Sequence, residues 1–312
     1  MADYSKAILF FNTKAGHSKP EIQKDIISSH FKAHDIDLQI IDVPKPQEEI
    51  NAFIEKGINR GVEIFIAAGG DGTVSFVSSA LVGKQFSLGI LPIGTGNLVA
   101  LELGIPLKLE KALELITAQD RQTLKIDTFQ LGKQHFVSNI SIGVSPQVIQ
   151  HTRDQEKQRF GVFAYLISFI QQILGIQLHQ VNIEYDHQKT TTMASEVLIT
   201  NIKIAGLDPL IWSEEILMND GTMDLLVFRA ANFTDILSLL ISVFAKKSNL
   251  NPVVKFLKVK EYCRIASTNP MQIQADGDLI GETPVEITIC PQSLKVIIGE
   301  KCSQPINHKV KE

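Results

Sequence analysis

Cysteine is scarce in this chain: Cys263, Cys290 and Cys302 are the only three in 312 residues. Their odd number and wide spacing exclude a disulfide framework and show no metal-ligand pattern. Small buried thiols in a reducing compartment are expected. The eight histidines have neither ligand spacing nor a nucleophile partner and are assigned no chemistry. Basic residues do not predominate, with 30 Lys and Arg against 34 Asp and Glu and a formal charge of −4. No basic cluster interleaves with aromatics, which excludes nucleic acid as a partner. The opening residues lack the basic region, apolar core and cleavage site of a secretory leader. A long unbroken apolar run is missing too. The longest, residues 160–178, is interrupted by Ser168, Gln171, Gln172 and Gln177, which predicts a core or interfacial helix rather than a membrane span. A cytoplasmic protein is the expectation.

What the chain does have is an ordinary globular composition, 44% hydrophobic and 21% charged, with length enough for two domains. Strand and helix signals alternate through residues 1–121. Strands are expected at 7–11, 38–43, 62–67 and 86–91. Helices are expected from a Ser18-Lys-Pro-Glu21 capping box to about residue 34, then at 47–60, 73–81 and 109–118. Such alternation predicts a parallel sheet covered by helices on both faces. From residue 122 the pattern changes to successive strands at 123–131, 136–142, 181–185, 195–200, 223–228, 253–258, 262–266, 271–274, 285–289 and 294–298. This reads as an antiparallel, β-rich domain over 122–298, with helical insertions near 160–175 and 234–246. Residues 299–312 read as a polar surface tail. No internal repeat and no low-complexity linker is present.

Two loops carry the chemistry. Residues 68–73 are Ala-Gly-Gly-Asp-Gly-Thr and residues 92–97 are Pro-Ile-Gly-Thr-Gly-Asn, each directly after an apolar strand. Glycines without Cβ atoms let backbone N–H groups approach an anion, and a strand-to-helix turn presents a helix N-terminus to phosphate. The first loop is not a Walker loop, since no Gly-Lys-Ser/Thr follows, and it does not fit Gly-x-Gly-x-x-Gly. Taken alone, its Asp-Gly is also an ordinary turn signal. A nucleoside triphosphate is the expected ligand, held beyond the strand ends.

These loops and five further segments, in this order, resemble the diacylglycerol kinase catalytic-domain family, which includes bacterial lipid kinases, sphingosine kinases and ceramide kinase. Asn12-Thr-Lys-Ala-Gly16 is similar to its opening Asn-Pro-x-Ser/Ala-Gly, and Gly69–Thr73 to its Gly-Gly-Asp-Gly-Thr signature. Residues 94–106 follow its Gly-Thr-x-Asn-Asp-x-Ala-Arg-x-Leu-Gly-Ile-Pro, with Leu98 and Leu101 in place of Asp and Arg. Asn139–Gly143, Phe160–Tyr165, Leu217–Asp224 and Asp276-Gly-Asp278 resemble later segments, the last with Asp278 where the family has Glu. NAD kinases share the Gly-Gly-Asp-Gly-Thr loop, but their Asn-x-Gly-x-x-Gly-Phe-Leu is absent here.

The resemblance implies a two-domain fold of the NAD kinase/diacylglycerol kinase type and an ATP- and Mg²⁺-dependent lipid kinase. It makes Asn12, Gly69, Gly70, Asp71, Gly72, Thr73, Gly94, Thr95 and Asn97 the nucleotide contacts. Asp278 becomes the candidate general base, with Asp71 as a second catalytic carboxylate. It further implies a structural Mg²⁺ bound by the Asp220 carboxylate and the Leu217 and Thr222 carbonyls, although Asn219-Asp220-Gly221 is equally an ordinary turn. The acceptor is expected to be a diacylglycerol-like or sphingoid lipid. The apolar stretches at 160–178 and 233–245, the second followed by Lys246-Lys247, suit peripheral contact with a membrane surface or packing in a core. Trp212 is expected either at an acceptor mouth or in packing. A homodimer is compatible with the sequence. The alternative reading is a lipid- or nucleotide-binding regulator with weakened catalysis, suggested by Leu98 and Asp278.

Overall fold

Ile64–Gly69 (β3) is buried at all six positions and Lys6–Phe11 (β1) at its last five. Such continuous burial is the mark of strands covered on both faces. A computed structural model of the chain describes residues 5–16, 19–44, 47–143, 177–204, 210–275, 278–302 and 304. The helix expected at 160–175 lies outside them. In the first part, β1, Asp37–Asp42 (β2), β3 and Ser87–Pro92 (β4) form parallel pairs in the order β2-β1-β3-β4. Pro20–Ala33 (α1), Gln47–Asn59 (α2), Asp71–Leu81 (α3), Leu98–Glu102 (α4) and Leu109–Thr117 (α5) accompany them. Helix α1 starts at Pro20 with Lys19 as an uncapped N-cap. The proline fits the first turn, while Ser18 lies outside the described residues.

The second part supplies Gln122–Leu131 (β5), Gln134–Phe136 (β6), Asn139–Gly143 (β7), His179–Tyr185 (β8), Gln188–Ala194 (β9), Glu196–Thr200 (β10) and Met223–Phe228 (β11). After helix Phe233–Phe244 (α6) come Val254–Val259 (β12), Tyr262–Ser267 (β13), Gln272–Ala275 (β14), Asp278–Glu282 (β15) and Val285–Ile298 (β16). One antiparallel sheet runs β12-β11-β10-β7-β14-β15. The other strands extend the first sheet: β16 pairs in parallel with β4 and antiparallel with β5 and β13, and β8 and β9 follow.

Strand β16 explains how the two parts join. Val285, Ile287 and Ile289 are buried while Glu286 and Thr288 are exposed, the alternation of a strand with one wet face. From Leu294 onward burial is nearly continuous, as the strand lies beside β4 and β5. Between these stretches the register shifts over Cys290–Leu294 and Gln292 adopts φ 47°. The two strands expected at 285–289 and 294–298 are therefore one strand with a bulge. Two cores result. One lies within the α/β layers around Phe10, Phe65 and Leu113. The other, around Phe129, Val197, Leu225 and Ile287, draws on both sheets and makes a sandwich of them.

The stretch expected to be a surface tail departs from that expectation at Gln304. This residue is buried, donates from Nε2 to Glu102 Oε1 at 2.6 Å and accepts the Met218 N–H at 2.8 Å. Gly104 makes the approach of Gly299 and Cys302 feasible, since a Cβ there would collide with the Cys302 nitrogen. Trp212 packs edge-on against Phe228 with centroids 5.4 Å apart, so the packing reading holds for it.

Candidate active site

The two glycine loops interlock. Gly70 is the N-cap of α3 in extended backbone (φ −93°, ψ −171°). A Cβ on Gly94 would lie 2.7 Å from the Gly70 nitrogen and closer still to its Cα. Only glycine at position 94 permits that contact. Asn97, buried and left-handed at φ 54°, closes the second loop. Its Oδ1 accepts the Gly94 N–H at 3.1 Å, and its Nδ2 donates to the Gly94 carbonyl at 2.9 Å. The side chain thus shapes the loop from within.

Asp71 is the first residue of α3, and its Oδ1 accepts the Val99 N–H at 3.0 Å. The carboxylate caps α4 across the gap between loops, with Oδ2 facing Gly96. Asn12, just beyond β1, donates from Nδ2 to Thr73 Oγ1 at 2.8 Å, while its own N–H reaches the Ala68 carbonyl at 2.9 Å. Together with the Asp71–Val99 bond, these contacts tie the ends of β1, β3 and β4 to one another. Among the described residues, the N–H groups of Gly70, Asp71 and Gly72 at the start of α3, and of Thr95 and Gly96, carry no intrachain hydrogen bond. They are the unsatisfied donors of a helix start and a glycine turn.

A cavity of about 340 Å³ opens over Gly70, Gly72 and Thr95 of this set. Asn12, Gly70, Gly72, Thr73, Gly94 and Thr95 line it, joined by Lys14, Val43 and Phe76, three residues to which the sequence alone assigns no role. Lys14 had a legible signal, a lysine two residues past Asn12 in the loop after β1. Val43 and Phe76 had none, because their meeting depends on the order of strands in the sheet. The cavity combines free donors and one cation with an apolar wall, the composition expected of a nucleotide pocket.

Of the other sequence-predicted residues, Leu217, Asp220 and Thr222 lie in the turn before β11 and Asp278 on β15. Asp220 Oδ1 accepts both the Thr222 N–H at 3.0 Å and its hydroxyl at 2.7 Å, while Oδ2 meets Lys258 Nζ at 3.0 Å. Asp127, also unassigned by the sequence, is fully buried. It accepts the Gly221 and Gln292 N–H groups, each at 2.7 Å. Burial raises its carboxyl above the usual range, and the two backbone donors oppose that rise. Burial likewise pushes Asp224 up to about 7, against the pull of Lys258. No group of three or more His, Cys, Asp or Glu able to hold a metal occurs among the described residues. Asp278 opens β15, with its backbone opposite Ala275. Its side chain, and Asp276-Gly277, lie outside the described residues.

Comparison with known proteins matches residues 6–131 to the family described as the diacylglycerol kinase catalytic domain. Residues 138–298 match the YegS C-terminal NAD kinase beta sandwich-like domain. The chain belongs to the diacylglycerol kinase catalytic-domain family. Among relatives, it is 29% identical over 304 residues to the uncharacterized protein sll0036 of Synechocystis, covering 92% of this chain and 69% of that one. It is 28% identical over 246 residues to the diacylglycerol kinase of Staphylococcus haemolyticus, covering 78% and 73%. A crystal structure of a diacylglycerol kinase from Bacillus anthracis shares the fold at a TM-score of 0.75 and 24% identity, covering 96% and 99%. The α/β part with its parallel sheet and the antiparallel β-rich part are thus the architecture of this lipid kinase family. Among the described residues no helix is long and apolar enough to cross a membrane.

Proposed function

We propose that the chain transfers the γ-phosphoryl group of ATP to a hydroxyl of a diacylglycerol-like or sphingoid lipid. The observation that carries this reading is the interlocked pair of glycine loops, which turns several free N–H groups and Lys14 toward one cavity. Phosphoryl transfer asks mainly for positioning and charge neutralisation. The N–H groups of Gly70, Gly72, Thr95 and Gly96 hold phosphate oxygens, and Lys14 offsets their charge. Thr73, whose oxygen accepts from Asn12, keeps its own proton free to donate. Asp71 fixes the second loop, and Asp278 takes the proton of the attacking lipid hydroxyl. Mg²⁺ carried in with the nucleotide supplies further neutralisation of the phosphates.

The lipid is met at a membrane surface. Helix α6 buries Ile236 and Val243 but exposes Leu237, Ile241 and Phe244, the last at 70%. Leu250 beyond it is 74% exposed, and Lys246 and Lys247 lie between. Apolar side chains beside lysines suit the boundary between acyl chains and anionic headgroups.

Titration calorimetry tests the nucleotide site. Gly70 holds extended backbone that any residue adopts, so Gly70→Val keeps the fold while placing two methyl groups over the phosphate cradle. The expected result is a loss of ATP affinity of about tenfold or more in a protein that still melts cooperatively, a few degrees lower at most because valine is a poorer N-cap than glycine. Equal affinity in both proteins contradicts the assignment.

A further inference from the structure

We infer that the ammonium group of Lys258 is the resident cation of the 215–224 turn, taking the Asp220 carboxylate on which the family resemblance puts a structural Mg²⁺. Strand register brings it there. Lys258 of β12 stands directly opposite Asp224 of β11, so both side chains leave the same face of the sheet. From that position Nζ lies 3.0 Å from Asp220 Oδ2, 3.1 Å from the Glu215 carbonyl oxygen and 4.0 Å from Asp224 Oδ1. An ammonium carries three donors and no acceptor. Here it faces two carboxylates and a backbone carbonyl, an all-oxygen environment of the kind a hard divalent cation takes.

The Asp220 carboxylate has no oxygen left over. Oδ1 serves the Thr222 N–H and hydroxyl, and Oδ2 serves Lys258. A divalent ion on Asp220 must share Oδ2 with the ammonium or displace it, and either way it sets two positive centres within a few ångströms of each other. The residues present therefore do not fit the Mg²⁺ site that the resemblance implies. The cation that holds this turn is covalently attached, and it acts on conformation rather than on substrate. The inference rests on the turn alone and is independent of which acceptor the phosphoryl group reaches.

The test uses the full chain without nucleotide, so that ions carried by ATP play no part. Thermal melts in EDTA and in excess Mg²⁺ should agree within about 1 °C for the wild type. Lys258→Met keeps the length of the arm and removes its charge. It should lower the melting temperature by roughly 2–4 °C in EDTA and recover part of that loss in Mg²⁺, because an ion bound only by the folded state stabilises it. Lys258→Arg should remain insensitive to Mg²⁺. A saturable Mg²⁺ stabilisation of the wild type that vanishes in Asp220→Ala overturns the inference, as does a Lys258→Met protein whose melting matches the wild type in both solutions. Should Lys258→Met fail to fold, electron paramagnetic resonance of added Mn²⁺ with the wild-type protein decides. No bound Mn²⁺ is expected, and one Asp220-dependent ion per chain contradicts the inference.

Discussion

Glu102 shows how one buried side chain can set a pH dependence. It sits at the end of α4, accepts from Gln304 and is 2% exposed. Burial raises its pKa above the ordinary 4.5, while Lys203 and Gln304 pull the other way. A carboxyl whose folded pKa is raised binds its proton more tightly when folded, so its effect on stability turns unfavourable as pH rises above 4.5. Glu102→Gln retains an acceptor for Gln304 and cannot ionise. The variant should match the wild type near pH 4 and melt at a higher temperature at pH 7, with the gap opening between. A constant gap, or a lower melting temperature at neutral pH, contradicts the assignment. Neither Glu102 nor Asp127 was legible as a buried acid, because each is defined by partners far along the chain, Gln304 for one and Gly221 and Gln292 for the other. Asn12, Gly70 and Gly94 were legible because each sits in a short motif just after an apolar strand, although the contacts that need them reach across the sheet to Thr73 and between the two loops.

At the scale of elements, α4 has five residues, too few to be stable alone. Asp71 supplies its N-terminal cap from another loop, an arrangement that short-range signals do not encode. The sequence accordingly predicts no helix at 98–102. Asp71→Ala should destabilise the fold by about 1 kcal/mol, the usual worth of a cap, whereas Asp71→Asn keeps the acceptor and most of the stability. If the carboxylate also acts on the nucleotide or metal, Asp71→Asn should still lower turnover. Denaturant titration and phosphotransfer kinetics on both variants separate the roles, and equal stability of Asp71→Ala and wild type removes the capping account. The strands β1, β3 and β4 were legible from unbroken apolar runs. Strand β9 was not, because its alternation is carried by threonines and Met193, which read equally as a loop. The bulge in β16 read as a break for a related reason. Gln292 and Ser293 interrupt the apolar pattern, and the contact that accommodates them comes from Asp127.

For the whole molecule, β16 is what makes the two parts one body, since it pairs with β4 on one side and with β5 and β13 elsewhere along its length. A pass along the sequence sees only two textures meeting near residue 122 and has no signal for a final strand returning to the first sheet. Membrane contact also belongs to this scale. Because Ile241 and Phe244 are exposed, replacing each with serine should leave the melting temperature unchanged while weakening co-sedimentation with anionic phosphatidylglycerol vesicles by about tenfold. Unchanged sedimentation moves the lipid-facing surface away from α6.

The central claim is that the cavity over the interlocked glycine loops delivers a phosphoryl group to a lipid hydroxyl. One reaction tests it most directly: the wild-type protein with Mg²⁺, γ-labelled ATP, and diacylglycerol, a sphingoid base and NAD present together, followed by extraction into organic solvent. The account predicts label in an organic-soluble phospholipid, formed only when protein and lipid are both present. Label in a water-soluble dinucleotide, or no transfer to any acceptor by a protein that binds ATP, contradicts it.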